Sequence, residues 1–116
     1  MNNVLGVVAT VLLMLAASMA TAATGDIRSP VRTLLIDSEN FGGCLFQLAE
    51  LPAGLACASN WVSASCSGDF NASNMGWRKF ETAQLAHAMN KDILVRVDDS
   101  RRHNGQCFAL RVQLLP

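Results

Sequence analysis

The sequence predicts a mostly β domain in the order β-β-β-α-β-β, with one helix and two disulfides. Three observations predict it. Short runs rich in β-branched and apolar residues alternate with clusters of Gly, Pro, Asn and Asp. One stretch, Met75–Asn90, is rich in helix formers and has no Pro inside it. The four cysteines, Cys44, Cys57, Cys66 and Cys107, all lie beyond an apolar leader, and an even count in a small exported chain reads as two disulfides.

The leader sets the address. Met1 to Gly25 carries no charged side chain, and Val4 to Ala17 is almost continuously apolar. That is the length of a signal-peptide h-region, and Ala20-Thr21-Ala22 supplies the small-x-small pattern for cleavage before Ala23. Residues 1–22 are therefore expected to be a signal peptide, and 23–116 one disulfide-stapled domain, secreted or periplasmic. An uncleaved anchor would need about 20 strongly apolar residues, and Ser18, Thr21 and Thr24 dilute the tail. All 9 acidic and 9 basic residues fall after the leader. The remaining chain is formally neutral, which removes the electrostatic footprint of a nucleic-acid binder. No nucleic-acid partner is expected.

The elements follow in order. Ala23 to Ser29 is polar and reads as loose. Val31–Asp37 is the first strand, ended by Asp37-Ser38-Glu39-Asn40 and Gly42-Gly43. Cys44–Leu48 is the second, and Pro52 and Gly54 break the chain after it. Asn60–Cys66 alternates, placing Trp61, Ser63 and Ser65 on one face and Val62, Ala64 and Cys66 on the other, which predicts the third strand. Ser67–Asn74 is loop, with Ser73 or Asn74 as helix cap. On the helix, Trp77, Phe80, Gln84 and His87 share a face. Asp92–Val97 is the fourth strand, with Ile93, Val95 and Val97 inward. Asp98–Gln106 is a polar loop containing the turn signal Asn104-Gly105. Cys107–Leu115 is the fifth strand, with Phe108, Leu110, Val112 and Leu114 toward the core. This order is that of a small OB-fold-like barrel; a generic α+β sheet under one helix is the alternative.

The densest polar constellation is Asp98 to Gly105. Arg101, Arg102, His103 and Asn104 are the candidate ligand-binding residues, with Asp99 as an acceptor for hydroxyls. Guanidinium and amide groups suit sugar hydroxyls or a sialic-acid carboxylate. The plain alternative is a turn whose carboxylates pair with its own arginines. Trp61, Phe70, Trp77 and Phe41 are candidate stacking aromatics, with core or rim packing as their ordinary role. Asn71-Ala72-Ser73 matches a glycosylation sequon. No metal site or cofactor is expected: the cysteines lack the close pairs of zinc sites, and the arginines oppose a cation at Asp98, Asp99 and His103. No G-x-S-x-G elbow accompanies Ser65 or Ser100 with His87 or His103, so no catalytic residue is assigned.

Trp61–Gly68, Ala83–Ala86 and Val95–Phe108, with its Val-Asp-Asp-Ser-Arg-Arg-His-Asn-Gly-Gln-Cys-Phe run, resemble a group of small exported bacterial proteins. More distantly, Thr24-Gly25-Asp26, Cys44, Cys66, the aromatic start of the helix and Val95-Arg96-Val97 resemble the B subunits of subtilase cytotoxin and its pertussis-like relatives. That resemblance implies a Cys44–Cys66 bridge, one of three pairings open to four cysteines, and so leaves Cys57 to Cys107. It also implies an OB-fold able to form a homo-oligomeric ring and to bind cell-surface glycans. The leading expectation is a glycan-binding module. The runner-up is a structural or interaction protein of the cell envelope, and a small hydrolase is third.

Overall fold

A computed structural model describes residues 23–116; the expected signal peptide, residues 1–22, lies outside the described residues. The elements are β1 (Thr24–Ile36), a 3-10 turn (Phe41–Gly43), β2 (Cys44–Leu48), β3 (Trp61–Ser63), α1 (Ser73–Met89), β4 (Asp92–His103) and β5 (Gln106–Leu114).

β1 starts seven residues earlier than Val31, so the segment expected to be loose is strand. Its first half alternates in burial, with Gly25, Ile27, Ser29 and Val31 turned inward. Two of these four inward positions, Gly25 and Ser29, are small or polar, so hydropathy alone hides the period. Buried Ser29 is satisfied, because its hydroxyl donates to Pro30 O and accepts from Ala49 N–H. β1 serves two neighbours. Thr24–Pro30 pair with β4, and Val31–Ile36 pair with β2 after an irregularity between Val31 and Thr33. The five strands thereby close into a ring, β1-β2-β3-β5-β4, in which β3 and β5 run parallel and every other pair antiparallel. Closure leaves the described strands without a long unpaired edge.

Phe46, Leu48, Val62, Ile93, Val95 and Val97 fill the ring, and Phe80, Ala83 and Ala86 of α1 plug it. Ile93, Val95 and Val97 are fully buried, as their alternation predicts. β5 departs from expectation at Leu110, which is 37 % exposed. Arg96 faces Arg111 but Val97 faces Ala109, so Leu110 is an extra residue in the ladder. The bulge flips the phase, and Cys107 and Ala109 point inward with Val112 and Leu114.

β3 is shorter than its alternation suggests. Ser65 adopts φ +57°, which ends the extended chain. Both faces of 62–66 are buried, so the expected two-faced strand is covered on each side. α1 also differs: Ala72 is its N-cap, and the Ser73 hydroxyl donates to Cys66 O instead of capping. Its buried face runs through Gly76, Lys79, Phe80, Ala83 and Ala86, leaving Trp77, Gln84 and His87 outside. Small residues carry that face, so the aromatic pattern misplaces it. Asn90 closes the helix in the left-handed region.

The disulfides are Cys44–Cys66 and Cys57–Cys107. Two such bridges fit an oxidising compartment. Among the described residues no helix is long and apolar enough to cross a membrane.

Candidate functional site

The expected polar loop Asp98–Gln106 is mostly strand. β4 continues to His103, β5 begins at Gln106, and only Asn104-Gly105 turns. Both turn residues have positive φ, +52° and +84°, the type I′ geometry that Asn-Gly favours. Between Asp98 and Arg102 the ladder slips, because Asp98 faces Phe108 while Arg102 faces Cys107.

Three of the five expected ligand residues hold the chain together there. Asp99 Oδ1 accepts from Ala23 N–H at 2.8 Å and Oδ2 from Ala56 N–H at 3.1 Å. These two backbone donors, first Ala23 and then Ala56, hold its carboxyl below the ordinary carboxylate range, with Arg102 adding to them. Arg102 Nη1 donates to Ala56 O. Arg101 pairs with Asp98 at 3.4 Å and stands 5.5 Å over the Phe108 ring. Asp98 itself is 4 % exposed and accepts from the N–H and hydroxyl of Ser100.

His103 and Asn104 occupy the mouth. Asn104 Oδ1 accepts from Phe41 N–H at 2.9 Å, and Ser63 Oγ donates to Phe41 O at 2.9 Å. The His103 ring lies 4.2 Å from the Phe70 ring. It packs flush on Gly42, where a Cβ would come within 2.5 Å of His103 Cδ2. Burial pushes the imidazole below its ordinary value, and Asp69 opposes that shift. His103 Nε2 lies 3.3 Å from Ser65 Oγ and 3.7 Å from Asp69 Oδ2. Both partners share one ring nitrogen, so the carboxylate does not orient the imidazole through Nδ1 as a catalytic triad requires. Ser65 is also fully buried. His87 Nδ1 lies 2.8 Å from Val31 O, tying α1 to β1.

Two hollows open around Phe41. The larger, about 420 Å³, lies between residues 36–43, residues 66–69, Trp77 and the His103–Asn104 tip. The smaller, about 220 Å³, lies on the outer sheet face and is lined by Leu35, Phe41, Leu45, Trp61 and Gln106. Asp99, Arg101 and Arg102 line neither. Beside the smaller hollow runs an amide chain. Thr33 Oγ1 donates to Gln47 Oε1, Gln47 Nε2 to Asn60 Oδ1, and Asn60 Nδ2 to Leu48 O. Sequence reasoning singled out Trp61, Trp77 and Phe41 but missed Leu35, Gln47, Asn60 and Gln106. The signal was present in the pairing: Thr33, Gln47 and Trp61 share one outward row, and Leu35 and Leu45 the next.

The sequon is structural. Asn71 Nδ2 donates to Ser65 O at 3.0 Å, and its Oδ1 accepts from Lys79 Nζ at 2.7 Å. Lys79 also donates to Ala109 O and sits 4.4 Å over the Phe108 ring. Burial, and then Arg101, push its ammonium below the ordinary range. Among the described residues no group of three or more His, Cys, Asp or Glu could hold a metal ion. Comparison with protein-family models, curated proteins and solved structures gives no match.

Proposed function

We propose that the protein is an exported binding module, secreted or periplasmic, with an OB-like barrel whose outer face takes a neutral saccharide. The observation that carries the reading is the smaller hollow, whose lining residues are all uncharged and which sets the Trp61 indole near the Gln106 amide, with Gln47 as the ladder neighbour of Trp61. An indole offers an apolar platform for the C–H face of a sugar. An amide has two donor hydrogens and two acceptor lone pairs, so the bonds made by Gln47 and Gln106 leave capacity for hydroxyls. In OB barrels the face of strands 2 and 3, between the first and last strand-joining loops, is the usual ligand face. Residues of β2 and β3, Leu45 and Trp61, line the hollow here together with Phe41, which supports that comparison. The reading moves the ligand away from the guanidiniums of Arg101 and Arg102.

A glycan array tests it. The folded protein is expected to retain neutral glycans, and Trp61→Ala is expected to lose them with its circular dichroism unchanged. Arg101→Ala and Arg102→Ala should leave retention intact. An empty array with well-folded protein would end the saccharide reading. The second reading, an envelope interaction protein or homo-oligomer, draws support from α1, where Leu85 is 48 % and Met89 50 % exposed one turn apart. The glycan array separates the two readings, and light scattering tests assembly: a protomer mass removes the ring. Neither reading involves a cofactor or a nucleic acid.

A further inference from the structure

We infer that Phe41 divides the mouth into two adjoining subsites, so that the ligand is an oligosaccharide of at least two rings and not a single sugar; this rests on the saccharide reading above. Phe41 has φ +58°. A bulky side chain in the left-handed region is a genuine outlier, and such residues persist only where their surroundings over-determine them. Here both backbone polar groups are captured by side chains from separate elements. Asn104 of the β4–β5 turn takes the N–H, and Ser63 of β3 serves the carbonyl. Glycine would adopt this backbone without strain, and the next two residues are glycines with positive φ. The chain nevertheless keeps a phenyl ring at the strained position.

The placement of that ring gives the strain a use. Phe41 is the aromatic residue that lines both hollows. On one side stands Trp61, on the other Trp77, so each hollow has its own indole. The Trp61 side is uncharged. The Trp77 side adds Asp69, His103 and Asn104, which can accept from hydroxyls. A single sugar would use one indole and one face of Phe41, whereas a chain of two or more rings can cross the divider and stack on both sides. Asn104 and Ser63 are positioning residues in this arrangement, and Phe41 contacts the ligand.

The test titrates the exported chain with homo-oligomers of glucose, galactose and N-acetylglucosamine, from one to four units, followed by tryptophan fluorescence and NMR. At least one series is expected to bind about tenfold more tightly as an oligomer than as its monomer, the size of one added aromatic contact. Phe41→Gly should remove that gain, weaken monomer binding by the one Phe41 face it loses while leaving the remainder dependent on Trp61, and keep the melting temperature, because relief of the left-handed backbone opposes the lost packing. Phe41→Asn, which also tolerates this conformation, serves if the Gly variant fails to fold. Equal monomer and oligomer affinities with Trp61→Ala still abolishing binding would overturn the two-subsite inference and leave the saccharide reading standing. An oligomer preference that survives in Phe41→Gly would remove Phe41 as the divider. If no series binds, both readings fall.

Discussion

Gly76→Ala puts the packing of α1 to a test of sign. In an open helix the change would stabilise by about 1 kcal/mol, because alanine has the higher helix propensity. At Gly76 a Cβ would lie 2.5 Å from Ser65 O, 2.8 Å from Ser65 C and 2.9 Å from Ala64 O. All three are backbone atoms, so no flexible side chain can swing away. Ser65 is also fixed: it is fully buried, and its carbonyl accepts from Asn71 Nδ2 and Gly68 N–H. Overpacking of this kind costs about 1–3 kcal/mol. With a backbone obstacle the upper part of that range applies, and subtracting the propensity gain leaves a net loss of about 1–2 kcal/mol. For a domain of this size the melting temperature should fall by roughly 4–16 °C. Urea denaturation with an unchanged m-value would measure it. Thr82→Ala is the control, since Thr82 lies mid-helix and its hydroxyl only back-bonds to Arg78 O; it should gain a few tenths of a kcal/mol. A Gly76→Ala protein as stable as the parent would refute the close approach of helix to strand on which the burial of Ser65 depends.

Four further outcomes follow from other contacts. In the loop-entropy relation, replacing Cys57 and Cys107 by alanine, a separation of 50, removes about 4 kcal/mol, and replacing Cys44 and Cys66, a separation of 22, about 3 kcal/mol before any cavity term. Under limited reduction the Cys57–Cys107 bridge should open first, because Cys57 is partly exposed while Cys44 and Cys66 are both buried; alkylation and mass spectrometry would show the order. Native His103 resists protonation that the unfolded chain accepts near its ordinary value of 6.5, so the unfolded state binds more protons in that window and stability falls as pH drops below it. Asp37, held down chiefly by the Glu39 and Asn40 N–H groups, and Asp99 add a second loss below 3.8, and melting temperatures across this range should show the first step vanish in His103→Gln. Folded protein exported from a glycosylating host should carry no glycan at Asn71, whose amide is engaged, and Asn71→Ala should cost about 1–3 kcal/mol by urea titration, since it removes one of the two hydrogen-bond acceptors of the Lys79 ammonium and the donor to Ser65 O.

The sequence made some elements legible and hid others for physical reasons. β2 was readable to the residue because CLFQL is a short apolar run between a Gly pair and a Pro-Gly break. Ile93, Val95 and Val97 were readable because their strand alternates strictly. The first half of β1 was not, since its inward positions include Gly25 and Ser29, whose burial depends on neighbours far along the chain. Leu110 was misassigned because a bulge is a property of two strands together, and no single strand announces it. The candidate site was half legible. Trp61, Phe41 and Trp77 stood out as aromatics, but Gln47 meets Asn60 only when β2 lies beside the entry to β3, and Gln106 meets Trp61 only at the smaller hollow. The glycine at position 76 gave no sign of its role, because a Gly inside a helix reads as a defect until the strand beneath it is known.

The charged stretch at the end of β4 has structural partners that polar density alone does not reveal. Residues 49–60 connect β2 to β3 without forming a helix or strand of their own. Their backbone groups still require partners wherever water is excluded. The hairpin supplies them: Asp99 takes Ala56 N–H, Arg102 gives to Ala56 O, Gly105 O takes Ala58 N–H, and Cys107 bonds to Cys57. Asp99 serves the start of β1 as well, through Ala23. Asp99 and Arg102 therefore already serve that segment before any ligand is invoked. Under the proposed saccharide reading, recognition falls to groups whose capacity the fold has not consumed, and around Phe41 these are the indoles and the uncharged amides.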